Sequence, residues 1–152
     1  MPRRTKEEAE ETRKAILRAS LEIFCEKGYS RTTFDEIAKH INLTKGAIYW
    51  HFRNKADILT EIIRERLTLG YKTIEEKINP AKGIAAIKDF MLLEAELIKT
   101  EQLYRQLGFF LLYQMEWSEA ILNKVTNEVY DVIQHPKIII KKILLQAQEK
   151  KE

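Results

Sequence analysis

Thr44, Lys45, Gly46, Ala47, Tyr49, Trp50 and His51 bring hydrogen-bond donors, aromatic rings and two residues with almost no side chain into one short stretch. Lone Ser, Cys and carboxylate residues of the chain show no sequence-local catalytic arrangement, so the chemistry this stretch suits is recognition, not catalysis. Gly46 and Ala47 leave the first turn of a helix bare, and the backbone can come close to whatever it meets. Free N–H groups at a helix start match phosphate oxygens. Lys45 can reach guanine O6 or N7, and Tyr49 and His51 can donate to phosphates. The expected ligand is the major groove of DNA.

Positioning such a surface requires a second helix packed against the first. Thr33 followed three residues later by Glu36 is a capping box, which satisfies backbone donors at a helix start. Phe34, Ile37, Ala38 and Ile41 recur at helical spacing and define one apolar face. Asn42 suits the helix end because it tolerates left-handed backbone. Leu43 is expected to plug the turn into the core. Thr44 is the natural N-cap of the next helix, with Ile48 and Phe52 facing inward. Asn54 then caps a further helix and puts Lys55 in its first turn, beside the DNA backbone. The whole reads as a helix-turn-helix.

The run Thr44-Lys45-Gly46-Ala47-Ile48-Tyr49-Trp50-His51-Phe52 closely resembles the recognition-helix signature of the tetracycline-repressor (TetR) family, and looks most like repressors of the AcrR type that control multidrug efflux. The resemblance extends back through Thr12-Arg13-Lys14-Ala15-Ile16-Leu17, Phe24, Gly28-Tyr29 and Thr32-Thr33. It covers about the first third of the chain strongly and the remainder only as a helical pattern. It implies that Lys45 and Tyr49 contact bases or adjacent backbone. It also implies that Thr33, Thr44, Trp50, His51 and Lys55 mostly hold phosphates.

Composition bounds these readings. Apolar residues make up 45% of the 152, which rules out wholesale disorder. A net charge of only +3 excludes binding to DNA by bulk charge, so any basic patch is local. Arg3 and Arg4 could form an arm that reaches phosphate or the minor groove; a frayed, solvated terminus is the equal alternative. Cys25 is alone, so no internal disulfide forms, and it reads as a small buried hydrophobe. The polar N-terminus and the lack of a long apolar run point to a reducing, cytoplasmic setting.

The fold class expected is all-α: a helix-turn-helix DNA-binding domain over 1–53, then a helical regulatory domain over 54–152. The first helix should run from the box Thr5–Glu8 to Lys27, buried through Ala9, Ile16, Ala19, Leu21, Ile23 and Phe24. A connecting helix should span 54–78. Another should run from Asn79-Pro80 to Lys99 with Ile84, Ile87, Met91, Leu92, Ala95 and Ile98 inward. Residues 103–117 are apolar nearly all round and should lie mid-bundle. Ser118 can cap a helix carrying Ile121, Leu122, Val125, Val129 and Ile133, which His135-Pro136 should interrupt. Residues 137–150 should form another helix, with a strand possible at the triple Ile.

Met91, Glu94, Tyr104, Phe110, Tyr113, Glu116 and Trp117 are the candidate ligand-binding residues. Aromatic walls with a few polar tips describe a ligand cavity, Glu94 or Glu116 could attract a cationic aromatic compound, and each residue taken singly also suits plain core packing. Resemblance to the family implies a small-molecule effector here, coupled to DNA release through the connecting helix. Family members usually continue into two more helices that form the dimer interface, so the regulatory bundle is expected to be shortened at its C-terminus, with 138–145 a candidate substitute interface.

The leading function is a transcriptional repressor that binds a palindromic operator as a homodimer and releases it when the effector binds. The alternative is a DNA-bound protein whose helical domain recruits a protein partner. An enzyme has little support: His40, His51 and His135 are scattered without metal-ligand spacing, no Gly-rich phosphate loop is present, and no cofactor or metal is expected.

Overall fold

The computed structural model describes residues 5–151. Among these it has seven α-helices and no strand: α1 (Lys6–Lys27), α2 (Phe34–His40), α3 (Lys45–His51), α4 (Lys55–Lys77), α5 (Ala85–Thr100), α6 (Gln102–Phe109) and α7 (Glu119–Glu149). Arg3 and Arg4 lie outside the described residues. The all-α expectation holds.

The described chain forms two compact units. The first runs to Ile62 and takes in Phe109–Val125; the second comprises Ile63–Gly108 and the chain from Thr126. Segment 109–125 therefore packs with the helix-turn-helix, where the sequence placed it in the regulatory bundle.

In the first unit local chemistry dictates the helix ends. Thr5 and Glu8 complete one capping box and Thr33 and Glu36 another. Asn42 adopts φ 54°; Asn42 N–H donates to Lys39 O at 3.2 Å and Leu43 N–H to Ala38 O at 2.8 Å, which closes α2 with a left-handed cap. Asn54 accepts from Asp57 N–H at 2.9 Å and so caps α4. Ile16, Phe24, Ile37, Ile48, Ile58 and Phe110 are fully buried in this unit. Phe110 stacks on Phe24 with ring centroids 5.8 Å apart, and Gln114 donates to Cys25 O at 3.1 Å.

The mid-bundle expectation for 103–117 needs correction. After α6 the chain winds into a π-helical turn, Phe110–Gln114, that buries Phe110 but exposes Phe109, Leu112 and Tyr113. A single helical turn against α1 has one inward direction, and the surplus apolar residues point elsewhere.

In the second unit the buried face of α5 is Ala86, Phe90 and Leu97, with Ile87 and Leu93 packed beside it. Of the expected inward set Ile87 packs against this core, while Ile84, Met91, Leu92, Ala95 and Ile98 are exposed. Pro80–Lys82 is a separate 3₁₀ turn capped by Asn79, so α5 begins at Ala85. Its phase starts later than Asn79-Pro80 implied. α7 also departs from expectation: it passes through Pro136, and its non-helical residue is Val129 (φ −125°, ψ 20°). Val132, Ile139 and Ile143 join the core of this unit on one helical face, and that burial outweighs the hydrogen bond that Pro136 cannot donate. Ile133, expected inward, is exposed, and the triple Ile is helical.

Candidate nucleic-acid interface

α3 is held by both ends and one side. Thr44 accepts from Ala47 N–H at 3.2 Å at its start, and Phe52 N–H closes on Ile48 O at its end. Ile48 is the residue of this helix that enters the core. Tyr49 lays its ring edge-on against Phe34 of α2, with centroids 4.8 Å apart, which clamps the two helices while leaving Tyr49 54% exposed. Trp50 is 74% exposed, and His51 stands T-shaped against it. The outward face of α3 thus presents Lys45, Gly46, Tyr49 and Trp50 together.

Gly46 is informative because nothing inside the chain requires it. A Cβ built there would meet Thr44 Oγ1 at 3.8 Å, ordinary van der Waals distance. Any need for a bare position must come from outside the fold.

Lys45 is not idle. Its Nζ donates to Asp35 Oδ2 of α2 at 2.9 Å, and this hydrogen bond, with the charge of Asp35, raises the Lys45 pKa. Sequence reasoning missed Asp35: ten positions separate the two, no spacing rule joins them, and the turn between α2 and α3 creates the pair. The hydroxyl of Thr33 is engaged with Glu36, accepting from its N–H at 3.3 Å and donating to Oε2 at 3.1 Å. The salt bridge from Lys27 at 2.7 Å, followed by the Thr33 contacts, pulls the Glu36 carboxyl down to about 2.

Lys55, expected to hold phosphate, has its ammonium engaged within the fold. Its Nζ donates to Tyr29 O at 2.7 Å and Ser30 O at 3.1 Å and lies 4.8 Å from the Tyr29 ring centroid. Burial lowers its pKa. In this arrangement the ammonium ties the start of α4 to the loop after α1.

The seven candidate ligand residues are divided between the two units. Phe110, Tyr113, Glu116 and Trp117 belong to the first unit, and Met91, Glu94 and Tyr104 to the second. Phe110 is core, Tyr113 is 76% exposed and Met91 66% exposed. Glu116 accepts from Ser30 at 3.0 Å, and Trp117 Nε1 donates to Leu111 O at 3.2 Å. Glu94 and Tyr104 do meet: the phenol donates to the carboxylate at 3.1 Å, and burial raises both pKa values. Tyr104 also helps to line a cleft of about 250 Å³ within α4, α5 and α6, with Leu69, Gly70, Leu97, Glu96 and Glu101.

Residues 16–62, from mid-α1 into α4, match the family described as bacterial regulatory proteins, tetR family. The amino-terminal domain is of the TetR family. It is similar to the HTH-type transcriptional regulator AcrR of Shigella flexneri, with 34% identity over 119 residues, 77% of this chain and 55% of AcrR. The chain thus spans about half the length of that relative. Identity reaches 52% over 61 residues with the HTH-type transcriptional repressor BepR of Brucella suis, 40% of this chain and 29% of BepR. Among solved structures, NalD, the secondary repressor of the MexAB-OprM multidrug efflux pump in Pseudomonas aeruginosa, superposes with TM-score 0.71 at 29% identity, covering 88% of this chain and 67% of NalD. The TetR resemblance read from Thr44–Phe52 agrees with all of these. No described helix is long and apolar enough to cross a membrane.

Proposed function

We propose that this protein is a sequence-specific DNA-binding transcriptional regulator of the TetR family, acting as a cytoplasmic repressor that a small apolar or cationic aromatic ligand releases from its operator. The observation that carries the DNA-binding reading is the outward face of α3. Lys45 and Tyr49 flank a glycine where a Cβ would meet Thr44 Oγ1 at ordinary contact distance, and no packing demand of the fold accounts for that glycine. Lys45 and Tyr49 are the base-reading candidates, while Thr44, Ala47, Trp50 and His51 lie along the same helix as backbone contacts. A helix this short reaches few bases, so a homodimer reading two half-sites about 34–36 Å apart is the working arrangement. The repressor descriptions of BepR and NalD support the sign of regulation.

Binding-site selection on the purified chain tests this reading. A two-fold symmetric motif is expected, and enrichment of no motif would overturn it. Lys45→Ala should then cost about 1–3 kcal/mol on the selected site and relax preference at one position, if the contact is a good base contact. The ligand reading rests on the cleft beside Tyr104, whose apolar walls suit a small aromatic compound and whose charged side chains, Glu96 and Glu101 with Arg66 and Lys77, offer polar partners of either sign. A panel of such compounds should raise the melting temperature and weaken operator binding. Stabilisation without operator release would separate ligand binding from regulation.

A further inference from the structure

Asp35 sits in the first turn of α2, yet it has no part in capping that helix. Glu36 fills that role, accepting from Thr33 N–H at 2.9 Å. Asp35 instead meets Lys45, with the two side chains 53% and 49% exposed. An ion pair this exposed contributes little to stability. A carboxylate beside the surface meant to face a polyanion also lowers general attraction to DNA. Its place in the first turn of α2 suits the helix dipole, but that calls for no contact with Lys45, and affinity for DNA does not account for the contact either. Discrimination does, because specificity is a difference between affinities and is gained by penalising the wrong partner as well as by rewarding the right one.

We propose that Asp35 is a specificity-determining positioning residue: it holds the Lys45 ammonium away from indiscriminate phosphate contact and aims it toward a base acceptor in the groove. This rests on the DNA-binding reading above. Any duplex offers phosphates everywhere, and a lysine already paired gains little by exchanging Asp35 for one of them. A guanine edge can accept from Lys45 through O6 and N7 while Asp35 keeps its own contact, because an ammonium carries three donors. The raised pKa of Lys45 is consistent with an ammonium that stays charged throughout.

The test measures wild type, Asp35→Asn, Asp35→Glu, Lys45→Ala and the Asp35→Asn/Lys45→Ala double variant on the selected operator and on a random duplex of equal length, across a salt series. Asp35→Asn should tighten binding to the random duplex about fivefold to tenfold near 0.1 M salt and steepen its salt slope by about one. Operator binding should tighten less, so the ratio falls. Asp35→Glu should keep most of the ratio. With Lys45→Ala already present, Asp35→Asn should leave the ratio unmoved. Equal tightening on both duplexes, with or without Lys45, would make Asp35 a plain repulsive charge and overturn the inference. Loss of operator preference at a cytosine in Asp35→Asn alone would make it a direct reader, which also overturns it. A wild-type protein that does not separate operator from random duplex would overturn the DNA-binding reading itself, a result distinct from either.

Discussion

The two compact units spend their apolar residues differently. In the amino-terminal stretch of the first, Ile16, Phe24, Ile37, Ile48 and Ile58 are all fully buried, and the starts of α1, α2, α3 and α4 each carry a side-chain cap. The second, like the Phe109–Val125 segment of the first, has more apolar residues than its core accepts. Ile84, Met91, Leu92, Ile98, Ile138, Leu144 and Leu145 remain exposed around a core of Tyr71, Ile74, Ala86, Phe90, Leu97, Val132, Ile139 and Ile143. Where apolar residues are few, their period selects one face; where they surround a helix, several faces compete and packing chooses.

The largest expected contrast comes from truncating one large apolar side chain in each unit. Phe24→Ala removes a ring packed on Tyr29 and Phe110 and should cost about 3–5 kcal/mol. Met91→Ala, on an exposed side chain, should stay within about 0.5 kcal/mol. Urea denaturation of the two variants measures both, and similar losses would erase the distinction between the units.

Two helical glycines sharpen it next. A Cβ on Gly70 would fall 2.5 Å from Tyr104 Cε2, so Gly70→Ala must displace a ring that is hydrogen-bonded to Glu94. Overpacking of about 1–3 kcal/mol should exceed the helix-propensity gain of about 1 kcal/mol. Gly46→Ala meets no such obstacle and should stabilise by up to about 1 kcal/mol while weakening operator binding. Thermal melts of both, with Gly70→Ala repeated in a Tyr104→Ala background, check the assignment. In that background Gly70→Ala should become stabilising, and persistence of the penalty would point away from the ring.

Capping is a smaller effect. Thr33→Ala removes the acceptor for Glu36 N–H and one arm of a capping box, and should cost about 1 kcal/mol. Its equilibrium unfolding midpoint measures the loss, and an unchanged midpoint would make the box dispensable.

Titration should separate the units by sign. Glu36 has its folded pKa lowered from 4.5 to about 2. Its contribution to stability is therefore complete above 4.5 and is lost as pH falls toward 2. Glu94 has its folded pKa raised by burial. The folded state keeps that proton longer, so stability falls as pH rises from 4.5 through the raised value. Glu36→Gln should flatten the acid-side rise in a pH series of unfolding midpoints, and Glu94→Gln should remove the opposing fall. Slopes of the same sign would refute one of the two environments.

Much of the recognition unit was legible in the chain itself. Thr33 with Glu36, Asn42, Thr44 and Asn54 each act on backbone groups within three or four positions, so their effect is fixed before any long-range contact forms. The apolar period through Phe34, Ile37, Ile48 and Phe52 could be read as well, because polar residues bound it on the other face. Three-dimensional packing decided the rest. It set the phase of α5, carried α7 through Pro136, returned segment 109–125 to α1, turned the Lys55 ammonium onto Tyr29 and Ser30, and brought Asp35 to Lys45. Each of these depends on which distant surface is available to bury a group or to accept its proton, and spacing along a chain does not encode that choice.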